Sequence, residues 1–218
     1  DHSHKGSFGK ALMIGGSKAM PGALAIAAKA CAASGIGTLT LMEPDCIGDL
    51  MAMKMDFAMH LRANDRDGHF ALSAVDLLKQ NMDQYDLISI GNGMQRNEIT
   101  IEMVKTLLSS NKTVILDADA LWTMQDHLEW LNRNAPTILT PHVKEMTFLT
   151  NKTVQEILES PFSTVREFTN KYSNCILILK SDITYIGSKN DFYILSRPNS
   201  AWQKEEVVIY YVAFLQVY

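Results

Sequence analysis

The sequence predicts an α/β fold, a mainly parallel sheet with helices on both faces, and three observations carry this prediction. Short apolar segments alternate with segments of helical spacing along the chain. The apolar segments are hydrophobic at nearly every position, which is typical of strands buried on both faces of a parallel sheet. The 218 residues, 47% of them hydrophobic, are enough for one large domain with a sizeable core.

The first unit of the pattern is a strand, a glycine loop and a helix. Residues 10–16 form a short apolar run that ends in two glycines. Pro21, which suits the first helical position, precedes an alanine-rich stretch over residues 23–33. Gly35 ends this helix, and residues 38–42 are expected to form the second strand.

The alternation of helices and strands continues through the rest of the chain. Helices are predicted over residues 71–80, 99–109, 144–149 and 161–172. Strands are predicted over residues 85–90, 112–117, 137–140, 175–179, 184–187 and 192–195. Because no repeat, low-complexity stretch or linker divides the chain, we expect a single domain.

Charge and cysteine content narrow the class of protein. With 20 Lys and Arg against 24 Asp and Glu, the chain has no basic surplus, so we expect no nucleic-acid partner. No apolar run reaches the roughly 18 residues of a membrane span, so we expect no membrane partner. Cys31, Cys46 and Cys175 form no C-x-x-C pair and indicate reduced thiols in a cytoplasmic protein. Since the chain does not begin with Met, it is expected to be a fragment or a processed chain.

Two glycine-containing turns follow predicted strands. In open parallel sheets ligands bind beyond the carboxyl ends of the strands, so both turns are candidate binding loops. The turn at residues 15–23 leads into a helix whose backbone N–H groups would favour an anion. It has neither a G-x-G-x-x-G nor a Walker A pattern, and a tight turn explains it equally well. The turn at residues 91–93 is either a simple turn or an opening for a ligand.

Two carboxylates, Asp117 and Asp119, stand at the end of the strand predicted over residues 112–117. We expect Asp119 to cap the helix that follows, because Asp is a preferred N-cap residue. Asp117 could instead hold a metal ion or a hydroxyl group.

Polar side chains follow two later strands as well. His142 and Glu145 lie one helical turn apart, which suits a phosphate-bearing substrate with Mg²⁺, although a loop or capping role is the plainer interpretation. Lys180 is either a solvated charge or a contact for a nucleotide phosphate. The remaining histidines show no metal-ligand spacing and are predicted to be surface residues: His2, His4, His60, His69 and His127.

Taken in order, these motifs resemble the ADP-dependent NAD(P)H-hydrate dehydratase family, repair enzymes with a ribokinase-like fold. The resemblance runs from about residue 4 to residue 201. The motifs that carry it are His4-Lys5-Gly6, Gly15-Gly16-Ser17, Met20-Pro21-Gly22-Ala23, Leu116-Asp117-Ala118-Asp119-Ala120-Leu121, Leu139-Thr140-Pro141-His142 with Glu145-Met146, and Leu179-Lys180.

The resemblance implies a set of ligands and site residues. The substrate, NADHX or NADPHX, would contact Ala23, Gly93 and His142. The co-substrate ADP would be lined by Lys180, Ser181, Asp182, Ile183 and Thr184. Glu145 would help to order Mg²⁺ and phosphate. The family also implies a homotetramer.

The chain departs from the family at two places. The family usually has Pro-Gly where this chain has Val143-Lys144. The family's glycine-rich anion hole and catalytic Asp, a G-G-[ST]-G-D motif, are absent, so no catalytic residue is assigned in this chain.

The genetic code offers an explanation for the missing motif. Back-translation of residues 201–218, read one base out of register, permits the string A-K-G-G-S-G-D where the family has its motif. We therefore interpret residues 202–218 as an out-of-frame tail that follows a one-base deletion. Residues 1–201 are then an incomplete ribokinase-like domain whose C-terminal helices are missing.

The function implied by the resemblance is dehydration of (S)-NADHX or NADPHX to NADH or NADPH. ADP would phosphorylate the hydrate hydroxyl, and phosphate would then be eliminated. Without the family's Asp and glycine amides, the alternative is an inactive nucleotide-binding remnant. A small-molecule kinase of the same fold is a further alternative, although the motifs at residues 4–6 and 140–142 favour the dehydratase.

The out-of-frame interpretation makes a direct prediction about the coding DNA. We expect the codons that follow Ala201 to encode G-G-S-G-D when one base is restored. Sequencing the gene tests this prediction, and codons that permit no such string in either alternative frame would contradict it.

Overall fold

The computed structural model describes residues 9–195, and its centre is a nine-stranded sheet. The strands of this sheet are β1 (Lys10–Ile14), β2 (Thr38–Pro44), β3 (Met59–Ala63), β6 (Leu87–Ile90), β7 (Thr113–Leu116), β8 (Thr137–Leu139), β9 (Cys175–Leu179), β10 (Thr184–Gly187) and β11 (Phe192–Leu195). Between β3 and β6, the short strands β4 (Asp65–Arg66) and β5 (His69–Phe70) form a separate hairpin. The order across the large sheet is β11-β10-β9-β8-β7-β6-β1-β2-β3.

The sheet is parallel from β3 to β9, which confirms the predicted mainly parallel arrangement. The strands β10 and β11 run antiparallel to their neighbours. The connection between β9 and β10 is only a short turn, residues 180–183, and so short a connection cannot make a parallel crossover.

Helices cover both faces of the sheet, as predicted. They are α1 (Pro21–Ala33), α2 (Asp45–Lys54), α3 (Ser73–Asn81), α4 (Glu98–Leu108), α5 (Asp119–Trp122), α6 (Val143–Met146), α7 (Val154–Glu159) and α8 (Pro161–Lys171). Successive strand residues point to opposite faces, so Leu12 packs with α3, α4 and α8 while Met13 packs with α1 and α2. The strands are therefore apolar on both sides.

The sequence prediction left two parts of the chain without elements. Residues 45–70 contain α2, β3 and the small hairpin, and α7 lies just before α8. The strand β3 is at the edge of the sheet and mixes polar with apolar residues, so it lacks the continuous apolar run of a central strand. The helix α7 has only six residues and is defined mainly by its Thr153–Glu156 capping box.

The predicted surface position of His60 is wrong. Its side chain is 16% exposed, and its Nδ1 lies 2.8 Å from Oε1 of the fully buried Glu43. Burial raises the pKa of the Glu43 carboxyl, while the hydrogen bond and charge of His60 oppose that rise. A buried carboxylate needs such a partner, and this pair fastens β3 to β2.

Several expectations fall outside residues 9–195 and stay predictions. They concern the motif at residues 4–6, the tail at residues 202–218 and the missing C-terminal helices. Within the described part of the chain, no helix has both the length and the apolarity needed to cross a membrane.

We predict that Gly91→Ala strongly destabilises the protein. Gly91 has φ +129°, and a Cβ there would lie 1.8 Å from the carbonyl oxygen of Asp117, so the backbone must move. We expect the free energy of unfolding in urea to fall by about 3 kcal/mol or more. Gly22→Ala is the matched control, because it adds the same methyl group within α1 with no atom in 4 Å. A loss at Gly91 no larger than at Gly22 would contradict the prediction.

Candidate functional site

The predicted motifs lie together at the carboxyl edge of the sheet. The glycine loop follows β1, residues 91–93 follow β6, and Asp117 follows β7. His142 and Lys180 follow β8 and β9. Because these strands are neighbours and run parallel, their carboxyl ends share one edge, where an open α/β sheet binds its ligands.

The two glycine turns contact each other. The Gly16 amide donates a 2.7 Å hydrogen bond to the Asn92 carbonyl, and a Cβ on Gly15 would lie 2.6 Å from that oxygen. Gly93 has φ +72°, and a Cβ there would lie 3.0 Å from the Cβ of Ala23. The structure thus brings Ala23 and Gly93 together, and only small residues fit between the loops.

Asp117 is the centre of a hydrogen-bond network at this edge. Its Oδ2 accepts from Nδ2 of Asn92 at 2.9 Å, and its Oδ1 accepts from Nζ of Lys180 at 3.0 Å. Burial acts to raise the pKa of the Asp117 carboxyl, but the Lys180 charge and the hydrogen bonds from Thr140, Lys180 and Asn92 outweigh it. The pKa is therefore held below its usual value, and the carboxylate is ionised at neutral pH.

The expectation that Asp119 caps the next helix is wrong. Asp119 is the first residue of α5, whose N-cap position is held by Ala118 without a side-chain hydrogen bond. The Asp119 carboxylate instead accepts from the backbone N–H of Gln95 at 2.9 Å and from Nε of Arg96 at 3.3 Å. It therefore ties the turn after β7 to the loop after β6.

Between the two carboxylates the backbone is strained. Ala118 has φ 48° and ψ −119°, in a region that residues with a side chain rarely adopt. Such strain persists only where the surroundings impose it, and it is concentrated at functional sites. The preceding carbonyl, that of Asp117, lies so close to Gly91 that a Cβ on Gly91 would be 1.8 Å from it.

His142 and Glu145 form a capping box at the start of α6. The Glu145 amide donates to Nδ1 of His142 at 3.2 Å, and the His142 amide donates to Oε2 of Glu145 at 3.0 Å. Both residues lie on one face, as predicted, and α6 begins directly at Val143. His142 remains half-exposed, with 51% of its side chain accessible, and can still meet a ligand.

Glu145 differs from His142 in being buried. Burial raises the pKa of its carboxyl, and this rise is opposed by the hydrogen bond from the His142 backbone and by the charges of His142 and Lys180. The described residues contain no group of three or more His, Cys, Asp or Glu side chains arranged to hold a metal ion. A single carboxylate suits Mg²⁺ only where phosphates and water supply the other ligands.

The turn after β9 is tied to the His142 segment. His142 and Lys180 form an isolated parallel bridge, and the Lys180 amide donates to the Pro141 carbonyl at 2.8 Å. Within the turn, the Ser181 hydroxyl donates to the Ile183 carbonyl at 2.6 Å. Asp182 and Ile183 are exposed and Thr184 is buried at the start of β10, so the five residues from 180 to 184 form one compact projection.

The ends of the strands are evident in the sequence, but the hydrogen bonds between the residues that follow them are not. In the sequence, Asn92 is only part of a glycine turn, and Asp117 and Lys180 are separate features. The one sequence feature that could have linked Asn92, Asp117 and Lys180 is that each follows a strand, β6, β7 and β9 respectively. Strand order, which the sequence did not give, was needed to bring them together.

Comparison with protein families gives a match over most of the chain. The family model described as NAD(P)H-hydrate dehydratase matches residues 11–204. A bifunctional NAD(P)H-hydrate repair enzyme of Moorella thermoacetica is 31% identical over 186 residues, which are 84% of this chain and 35% of that protein. An ADP-dependent (S)-NAD(P)H-hydrate dehydratase of Bacillus subtilis is 30% identical over 184 residues, which are 84% of this chain and 62% of that protein. The chain thus spans about a third of the bifunctional relatives.

Solved structures give the same result for the fold. The ADP/ATP-dependent NAD(P)H-hydrate dehydratase of Bacillus subtilis, co-crystallised with ATP and Mg²⁺, aligns with TM-score 0.75 and 26% identity, covering 99% of this chain and 75% of that one. A ribokinase-like superfamily protein of Enterococcus faecalis aligns with TM-score 0.81 and 20% identity, covering 100% of this chain and 74% of that one. These matches confirm the expected ribokinase-like fold.

The lowered pKa of Asp117 predicts how Asp117→Asn changes the pH dependence of stability. An ionised group whose pKa is lowered by folding stabilises the protein above its unfolded pKa, near 3.8, and this contribution is lost as the pH falls through the folded pKa. We expect the wild type to melt at a higher temperature than the variant by a constant margin from pH 8 to about pH 5. The margin should shrink below about pH 4. A margin independent of pH down to pH 3 would contradict the assignment.

Proposed function

Because the chain belongs to the NAD(P)H-hydrate dehydratase family, we propose that its carboxyl-edge site binds NADHX or NADPHX beside ADP. When the site is completed by the family's G-G-[ST]-G-D motif, its reaction is the ADP-dependent dehydration of the hydrate to NADH or NADPH. The observation that carries the proposal is the junction at Asp117, which joins the glycine turns to Lys180. This junction puts a substrate half and a nucleotide half on one edge of the sheet.

The substrate half is formed by Ala23, Gly93 and His142. The two small residues face each other where the glycine turns pack together, Gly93 buried and Ala23 half-buried, and the dinucleotide would contact this edge of the packed turns. The half-exposed His142 is fixed by Glu145, whose backbone amide donates to Nδ1 and whose Oε1 lies 3.3 Å from Nε2, so the exposed face of the ring would pack against the dinucleotide in a single orientation.

The nucleotide half is formed by Lys180, Ser181, Asp182, Ile183 and Thr184. The Lys180 ammonium would contact a phosphate, and the exposed Ile183 side chain would pack against the base. Glu145 would hold Mg²⁺ that is carried mainly by the phosphates and water, and the ion would neutralise phosphate charge. The match to a Bacillus subtilis enzyme co-crystallised with ATP and Mg²⁺ supports this assignment.

The proposed reaction has two steps. Because ADP has no γ-phosphate, its β-phosphoryl group passes to the hydrate hydroxyl and AMP leaves. The lone pair of the ring nitrogen then expels phosphate to give an iminium ion, and loss of a proton from the adjacent ring carbon gives the dihydronicotinamide ring of NADH or NADPH. In this chain the described residues bind and orient the two ligands, whereas the family's Asp and glycine amides would supply the general base and stabilise phosphoryl charge.

A second candidate function is nucleotide binding without chemistry. It is favoured by the absence of the G-G-[ST]-G-D motif from the sequence. The family match ends at residue 204, three residues into the segment 202–218, which supports the out-of-frame interpretation of that segment. The homotetramer implied by the family and the cytoplasmic location inferred from the cysteines also stay predictions.

We predict that this chain and a version with the reading frame restored differ in turnover. With NADHX, Mg²⁺ and ADP, the restored version should generate NADH. The unaltered 218-residue chain should not, because it lacks the general base. The absorbance of the dihydronicotinamide ring of NADH measures the turnover of both versions. Turnover by the chain as written would contradict the remnant function, and no turnover by either version would contradict the dehydratase.

We also predict that Lys180→Met weakens ADP binding. Loss of a charge-assisted contact to phosphate should lower the affinity about 10- to 100-fold, as measured by calorimetric titration. Lys189→Met makes the same change at an exposed position beyond β10 and is the matched control. Equal affinities of the two variants would exclude the proposed role of Lys180.

A further inference from the structure

We infer that Asp117 is a positioning residue that holds Lys180 in place for the nucleotide and locks the glycine turns of the substrate half at the same time. The inference rests on the proposed function for the identity of the nucleotide. It goes beyond it by assigning a role to a residue that lies in neither half of the site.

The donor arrangement around Asp117 supports this role. Each carboxylate oxygen has its own donor, Lys180 on Oδ1 and Asn92 on Oδ2. The side chain is 90% buried, so these donors replace water. A buried carboxylate with both oxygens engaged in this way acts through the groups it holds.

The two hydrogen bonds of Asp117, which we call its Lys180 arm and its Asn92 arm, reach opposite halves of the site. Through Lys180 it controls the ammonium group that begins the nucleotide turn. Through Asn92 it controls the residue whose carbonyl accepts from Gly16 and which stands directly beside Gly93. One buried carboxylate therefore sets the geometry of both loops.

Asparagine cannot replace Asp117 in this arrangement. Its side chain has one acceptor oxygen and one NH₂ group, whereas Lys180 and Asn92 are both donors. In Asp117→Asn the side-chain NH₂ group must therefore face either Lys180 or Asn92, both of which are donors. One of the two hydrogen bonds is lost, while the shape of the side chain is kept. The substitution separates the hydrogen-bonding role from simple packing.

Asp119→Asn is the matched control for this substitution. Asp119 is two residues away at the same edge, but its partners are the Gln95 amide and Arg96. The same chemical change there leaves the Lys180 arm intact. We expect its ADP affinity to stay within about twofold of the wild type.

The first test is a double-mutant cycle on ADP affinity. ADP is titrated calorimetrically into the wild-type chain, Asp117→Asn, Lys180→Met and the double variant, both with Mg²⁺ and with EDTA. We expect Asp117→Asn to weaken ADP binding about tenfold in the wild-type background, with or without Mg²⁺, and to have no further effect once Lys180 is Met. A melting curve of each variant confirms that the protein is folded at the titration temperature.

The second test needs no nucleotide. Acetylation of individual lysines by a water-soluble ester, followed by mass spectrometry, reports how firmly each ammonium group is held. We expect Lys180 to react several-fold faster in Asp117→Asn than in the wild type, while Lys189 is unchanged. Unchanged reactivity of Lys180 would overturn the inference.

The outcomes separate the inference from the proposed function. A loss of affinity that persists in the Lys180→Met background, or that appears only with Mg²⁺, would make Asp117 a direct contact of the nucleotide or its metal and overturn the inference. A wild-type chain that binds no ADP would contradict the proposed function instead. The lysine reactivity would then still decide whether Asp117 holds Lys180.

Discussion

The burial of one ionised carboxylate, Asp117, constrains the whole carboxyl edge of the sheet. An ionised carboxylate away from water is costly unless donors surround it. The parallel order of β6, β7, β8 and β9 supplies those donors, because Asn92, Thr140 and Lys180 each follow a neighbouring strand. The network therefore exists only when the strands are in this order, and in turn it fixes the loops that leave them.

The same constraint explains the unusual backbone around the site. On either side of the Asp117 network, Gly91 lies too close to the Asp117 carbonyl to carry a Cβ, and Ala118 adopts a positive φ. Conformational strain of this kind costs stability and is kept where a site requires a fixed geometry. Rigid loops reduce the ordering that binding would otherwise require, so the strain favours ligand binding.

The sequence was sufficient for the fold class because the central strands are apolar at almost every position and each is followed by helical spacing. It failed for the edge strand β3 and the short helix α7, which lack a strong pattern of either period. For the site, the sequence identified His142 with Glu145, because their spacing is local. It identified Lys180 as a single charge at the end of a strand. It could not identify the bonds of Asp117 or the new partners of Asp119, since these depend on which strands are neighbours.

Amide hydrogen exchange with and without ADP and Mg²⁺ shows where on the sheet the nucleotide binds. If it binds at the carboxyl edge, we expect slower exchange in residues 180–184 and 142–146, and in the segment around Asp117. We expect no change at the opposite, amino edge, where a polar cavity is lined by Arg133 and Tyr172. Protection confined to that amino-edge cavity, or none in any segment, would contradict binding at the carboxyl edge.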